Sequence, residues 1–274
     1  MLSKSNPLAG RTSTTGRVRR RSPGKPELAL DWLQRAVDRG YPNPQHMQED
    51  KDLVSLHDLP PWKQIVATAQ KTRRALDANI DKPLRTQLRA ILQEDQKYRV
   101  QIEDVLKKFG NNSPEMRDLW KIIEQKDAEN LAKVTAILDT RGWLGADLVG
   151  SDGNNTLFLV IQHSDLKTQE KYLPMMRAAV KEKKARPEDL ALLEDRVALG
   201  EGRRQTYGSQ LRTNPKTGKN ELSPLDDPDH VDQRRASVGL GLLADYLKHW
   251  DLTWDVEEYK KHPPQLEKAE PPAP

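Results

Sequence analysis

The stretch LRTQLRAILQEDQKYRVQIEDVLKKF, residues 84–109, shows the period that dominates most of this chain. Its apolar positions Leu84, Leu88, Ile91, Tyr98, Ile102, Val105 and Phe109 recur every three or four residues, the spacing of one helix face. Asp95 falls in the gap of that face. A carboxylate at a core position must be paired, protonated or metal-bound, because burying it alone is very costly. The next stripe, Met116, Leu119, Ile123, Leu131, Val134 and Leu138, carries Asp127 and Asn130 on the same side. A later one, Leu190, Leu193 and Val197, reaches Glu201. Three helical stripes with acids in them imply a polar pocket inside a helical domain.

Working outward, the period predicts helices at 84–108, 115–140, 154–163, 168–183, 187–205, 229–237 and 242–249. Ser113-Pro114-Glu115 is a good helix start, with serine as cap and proline in the first turn. Thr156–Gln162 is apolar nearly all round, as in a helix buried on every side; a buried strand is the rival reading of so short a run. No stretch sustains strand alternation. The expected fold is all-α, a globular domain of about seven helices with one or two N-terminal repeat-like helices docked on it.

Before that domain, residues 27–40 read as a helix with Leu28, Leu30, Trp32, Leu33, Ala36 and Val37 apolar, stopped by Gly40. Tyr41-Pro42-Asn43-Pro44 is a rigid turn, and 52–70 is a short helical region broken by Pro60-Pro61 with Trp62, Ile65 and Val66 as its packing face. The expected organisation is a disordered basic tail at 1–26, a helical segment at 27–82, the helical domain at 83–250 and a Pro-rich tail at 251–274.

Charge sharpens this division. The chain carries a net +4, yet residues 1–26 hold Lys4, Arg11, Arg17, Arg19, Arg20, Arg21 and Lys25 with no acid among them. The remainder is therefore mildly acidic, about −3, which argues against a nucleic-acid-binding domain. The tail itself reads as bland and disordered, as a basic, acid-free targeting segment, or, ranked last, as a segment that touches RNA or an acidic surface. The longest apolar run, Leu157–Ile161, is far short of a membrane span, so no membrane partner is expected. There is no cysteine, which excludes disulfides, thiol catalysis and cysteine-ligated zinc and fits a reducing cytoplasm.

Several local patterns mislead. Gly239-Leu240-Gly241-Leu242-Leu243-Ala244 imitates a dinucleotide fingerprint, but no strand precedes it, so it reads as a helix–helix turn. Lys216-Thr217-Gly218-Lys219 lacks the leading glycine of a phosphate loop. Trp143, Trp250 and Trp254 read as packing anchors, since no basic patch interleaves with them.

An ordered series of motifs then brings a family into view. It runs through Trp143–Gly150, Asp152-Gly153, Gln162-His163-Ser164-Asp165, Asp195-Arg196, Glu201-Gly202, Gln205, Tyr207-Gly208, Gln210, Arg234-Arg235 and Gly239-Leu240. Over roughly residues 84–250 the chain resembles a bacterial helical domain family of unknown function that commonly follows tetratricopeptide-type repeats. Residues 29–64 look like the last, degenerate unit of such an array, and one unit cannot bury its own face alone. The resemblance implies no activity.

The candidate catalytic set is His163, Asp127, Glu201 and Asp95; the candidate ligand-binding set is Gln162, Asp165, Arg196, Gln205, Tyr207, Gln210 and Asn130. His163 would act as general base toward water or a hydroxyl, oriented by Asp127 or Asp165, while Arg196 or Gln205 held an anionic or polar substrate group. Glu201 would be a second acid or a metal ligand. Three acids and one histidine suit a divalent cation in type, although the paired Glu-x-x-His spacing of di-iron bundles is missing. The cofactor is otherwise undetermined. A structural ion-pair network, with Arg196, Arg203, Arg234 or Arg235 neutralising the acids, explains the same residues. Residues 201–210 read equally as a binding wall, with Gly202 and Gly208 permitting close approach, or as a helix end. The rival function is a non-catalytic interaction module binding a protein partner through an exposed apolar groove expected between the N-terminal helices and the domain, near Trp32 and Trp62.

Overall fold

A computed structural model describes residues 26–38, 43–214, 218 and 220–266. The expected basic tail therefore lies outside the described residues up to its last position, as does the end of the first helix at Gly40. The chain divides into two compact units, before and after residue 82.

In the first unit, α1 (Pro26–Asp38), α2 (Pro44–Glu49) and α3 (Pro60–Ala78) enclose a core of Leu30, Val37, Met47, Leu56, Trp62, Ile65, Val66 and Ala69. The Asn43 side chain caps α2 by accepting the His46 N–H at 3.1 Å. Pro60-Pro61 opens α3 rather than breaking a helix, because the N–H groups of a first turn need no intrahelical acceptor. Trp62 is 6% exposed and stacks on His57 with ring centroids 4.3 Å apart, whereas Trp32 is 55% exposed. Of the two tryptophans expected at a docking groove, Trp62 is core.

The second unit is built on α4 (Lys82–Arg99), α5 (Ile102–Phe109), α6 (Pro114–Arg141), α7 (Ala146–Gln162), α8 (Leu166–Lys181) and α9 (Pro187–Gly200). The 84–108 helix is two helices. Its stripe serves two cores: Leu84, Leu88 and Ile91 enter the main one, while Tyr98, Ile102, Val105 and Leu106 pack on Met116, Leu119 and Ile123 of α6. The axis breaks between them at Val100, which is 70% exposed. Ser113 caps α6 by accepting the Met116 N–H at 3.1 Å, and Gly142, at φ +68, ends it. α7 is kinked at Gly150, whose φ of 74° and ψ of 165° suit glycine alone, and a side chain there would meet Arg85 Nε at 2.7 Å. Beyond the kink Leu157–Ile161 is buried on every side, packed against α6, α8 and α9. This segment is the core helix, not a strand.

After α9 the all-α expectation needs one amendment. A two-stranded antiparallel ribbon, β1 (Leu211–Thr213) with β2 (Asn220–Leu222), pairs Leu211 with Leu222 and Thr213 with Asn220. Then come α10 (Val231–Ser237), α11 (Leu243–Lys248) and α12 (Val256–Lys261). Gly239, at φ +83, sits in the turn between α10 and α11, where the dinucleotide-like sequence lies. The stretch expected as a C-terminal tail is folded through α12, because Tyr259 Oη accepts the Leu225 N–H at 2.6 Å and Trp254 and Tyr259 pack on the Leu222–Leu225–Leu247 cluster. No helix among the described residues is long and apolar enough to cross a membrane.

Candidate functional site

The buried end of α7 carries His163 to the point where α4 and α6 present their acids. His163 Nδ1 lies 3.0 Å from Asp95 Oδ1, with the two side chains only 6% and 1% exposed. Asp95 also accepts from Gln96 Nε2 at 2.6 Å and faces Arg99 Nε at 3.6 Å. The same guanidinium reaches Asp127 Oδ1 through its Nη2 at 2.5 Å. Arg99 thus bridges the two carboxylates that the helical stripes bury.

Burial opposes charge on Asp95, but His163, through charge attraction and then its hydrogen bond, together with Arg99 and Gln96, outweighs it and holds the carboxyl below its ordinary 3.8. Burial wins at Asp127 and lifts its carboxyl above 3.8 despite Arg99. Burial also drives His163 below its ordinary 6.5 against the pull of Asp95, and Arg99 and Arg196 add to the lowering. At neutral pH the imidazole is therefore uncharged, its Nδ1–H donated to an ionised Asp95. That assignment leaves Nε2 as an acceptor. It makes no hydrogen bond among the described residues and is not sealed in the interior.

His163 lines a cavity of about 230 Å³. Asp95, Glu124, Asp127, Asp165 and Ser164 supply the rest of its polar wall, and Ala128, Leu131 and Val160 its apolar wall. Glu124, Asp127, Ala128 and Leu131 are successive members of one face of α6. The volume suits a metabolite rather than the drug-sized ligands of ~300–1,000 Å³ pockets.

Of the predicted site residues, Asp95, Asp127, His163 and Asp165 meet at this cavity, and two roles change. Asp95 orients His163; Asp127 is tied to Arg99, and Asp165 caps α8 by accepting the Thr168 N–H at 2.7 Å. Asn130 and Gln162 are buried beside the set in sequence, with Asn130 Nδ2 and Gln162 Oε1 unpartnered among the described residues. Glu201 is elsewhere in character: α9 stops at Gly200, so Glu201 leaves the helical stripe, is exposed and pairs with Arg203. Arg196 does not line the cavity. Burial, then Arg99, pushes its guanidinium down to about 10.

Gln205, Tyr207 and Gln210 belong to a different construction, centred on Asp195. This fully buried carboxylate accepts the backbone N–H groups of Thr206 at 2.7 Å, Tyr207 at 2.9 Å and Ser209 at 2.9 Å. Gln205 spends its side chain on Gln210 O at 3.0 Å, Ser223 O at 2.9 Å and the Gln210 N–H at 2.8 Å. Arg235 holds Tyr207 O at 2.8 Å, and Tyr246 Oη holds Ser209 O at 2.8 Å. Within residues 201–210 the backbone donors of Thr206, Tyr207 and Ser209 and the Gln205 amide are spent inside a folded turn.

Arg99 and Glu124 were not singled out by sequence. Arg99 had a signal, since it stands four residues after Asp95 on one helix, the spacing of an intrahelical ion pair. Glu124 had none, being one exposed acid among many.

The candidate ligating atoms of Asp95, Asp127 and His163 all lie within 4.8 Å of one another, a spacing a cation could use. Arg99 already stands against both carboxylates, so a metal would have to displace a guanidinium there. Two carboxylates share that one guanidinium, so the set keeps a net negative charge.

The His163 assignment makes a pH prediction. Its value in the folded protein lies below 6.5, so just beneath pH 6.5 the unfolded chain takes up a proton that the folded one does not. Stability should fall as pH drops through that window. In His163→Asn, whose amide can still reach Asp95, this component of the slope should vanish. Melting temperatures of both proteins from about pH 7.5 to about pH 5 measure it; parallel curves would show that His163 titrates alike in both states.

Residues 82–257, more than half of the chain, match the model of a family described as a family of unknown function, DUF6624. No curated protein and no solved structure matches the chain.

Proposed function

The chain belongs to the DUF6624 family of unknown function, and we propose that its helical domain binds and transforms a small polar molecule with His163 as general base. One observation carries this reading: a nearly buried imidazole, bonded through Nδ1 to Asp95 at 3.0 Å, in a residue that lines a cavity. Asp95 would fix the tautomer and stabilise the imidazolium formed when Nε2 takes a proton from water or a hydroxyl. Arg99 would keep Asp95 ionised and hold Asp127 at the cavity wall. Hydrolysis or group transfer is the chemistry such a set serves.

The test is thermal stability of the wild type and His163→Ala across a panel of common metabolites and divalent metals. A compound that stabilises the wild type, by about 2.7 kcal/mol at a hundredfold excess over its Kd, and leaves the variant unmoved is the expected result. If nothing binds and the variant merely melts earlier, the dyad is a structural ion pair.

A second reading concerns residues 26–82, where the repeat-like resemblance leads to a protein-binding role. It is favoured by the exposed Trp32 and by a groove between α1 and α3 lined by Leu30, Pro61 and Ile65 with Glu27 and Asp31 at its edge. Trp32→Ala tests it, because Trp62 cannot be replaced without opening the core.

A further inference from the structure

The hydrogen-bonding inventory of the His163 cavity is one-sided. His163 has spent Nδ1–H on Asp95 and offers only the Nε2 lone pair. Ser164 Oγ donates its proton to Ile161 O at 2.7 Å and retains only lone pairs. The other polar side chains of the wall are the carboxylates of Asp95, Glu124, Asp127 and Asp165. Among the described residues no lysine, arginine or amide side chain lines the cavity, and Arg99 is engaged by Asp95 and Asp127. Four acids against one guanidinium leave the site negative.

An anionic ligand would enter this cavity against repulsion and find no side-chain donor. A ligand with several N–H groups and a positive charge would satisfy the wall on both counts. Resting on the reading of the cavity as a small-molecule site, we propose that its ligand is a small organic cation, a primary alkylammonium. The ammonium lies against Glu124 and Asp127, one turn apart on α6, and its alkyl body covers Ala128, Leu131 and Val160. His163 Nε2 then faces the hydroxyl or water adjoining that body. The second observation behind the acidic wall is His163 itself, which lines the cavity with a side chain only 6% exposed and an Nε2 unpartnered among the described residues. Arg196 and Gln205, the sequence-based choices for holding an anion, both lie off the cavity wall.

The experiment is a titration of the full chain with n-butylammonium, n-butanol, butyrate and Mg²⁺ in turn, at matched ionic strength, read from the His163 imidazole nitrogen and proton signals in NMR. Butylammonium should give a saturable shift at His163 while butanol and butyrate give none. Asp127→Asn should weaken it roughly tenfold with an otherwise native amide spectrum. Glu124→Gln, at an exposed position where folding is not at stake, should weaken it in the same sense. Saturation by butyrate, butanol or Mg²⁺ in preference to butylammonium would overturn the ammonium assignment and leave the cavity as a binding site. Silence with all four probes also overturns the assignment; the metabolite panel on wild type and His163→Ala then decides the fate of the general-base reading separately.

Discussion

Asp195→Ala is expected to destabilise the second unit by about 3–5 kcal/mol, as far as any single polar substitution in the protein. The carboxylate is fully buried and receives three backbone donors, from Thr206, Tyr207 and Ser209. Alanine strands all three, and each buried unpaired N–H costs on the order of 1–3 kcal/mol. Water entering the opened space offsets part of that sum. The damage should be local in origin, because the same turn hands Tyr207 O to Arg235 and Ser209 O to Tyr246, so its loss releases α10 and α11 as well. Asp195→Asn should fall between, since its amide oxygen keeps one acceptor while its NH₂ confronts donors. Urea denaturation measures the loss, and amide exchange at residues 206–209 locates it. A cost under about 1 kcal/mol would mean that the turn holds without its carboxylate.

Arg99→Leu is the second large effect, about 3–5 kcal/mol at neutral pH, because it leaves Asp95 and Asp127 facing each other without their shared cation. The pH dependence identifies the cause. In the wild type the depressed Asp95 contributes stability that is present above about pH 3.8 and lost as pH falls through its lower folded value. Asp127, already above 3.8 with Arg99 beside it, should be raised further in the variant, so the stability recovered as pH falls should be larger there and should begin at higher pH than in the wild type. The variant His163 should also titrate higher, since one of the two arginines holding it down is gone. Arg99→Leu with Asp127→Asn should regain much of the loss. If the single variant is as stable as the wild type, or if its deficit is the same at every pH, the bridging role is wrong.

These two residues mark the limits of what could be read from sequence. Asp95 was visible as the flaw in an otherwise regular stripe, and Asp127 and Asn130 likewise, because a helix face follows from spacing alone. His163 was visible as the end of the most buried run in the chain. Asp195 was hidden: it lies two residues from both Leu193 and Val197, where the period leaves its side unassigned. Glu201 was a false member, since extending a stripe by one more period assumes that the helix continues, and α9 ends at Gly200 with Gly202 at φ +73 beyond it. The break at Val100 was missed for a related reason. Seven apolar residues in one period look like one helix with one partner, yet six of them serve two cores and Phe109 is exposed.

The sequence by itself determined the helices, their buried faces and the fact that acids lie on those faces, because periodicity, capping and proline placement act over a few residues. It also excluded thiol chemistry and cysteine-ligated metal by composition. Only the tertiary structure decided which acid meets which base. Asp95 and His163 are 68 residues apart, and their 3.0 Å contact depends on how α4 and α7 lie in the common core. The sign of the cavity wall was decided there too. The chain contains arginine enough to make the site either cationic or anionic, and it is packing that commits Arg99 to Asp95 and Asp127, keeps Arg196 off the wall and leaves the cavity lined with acceptors.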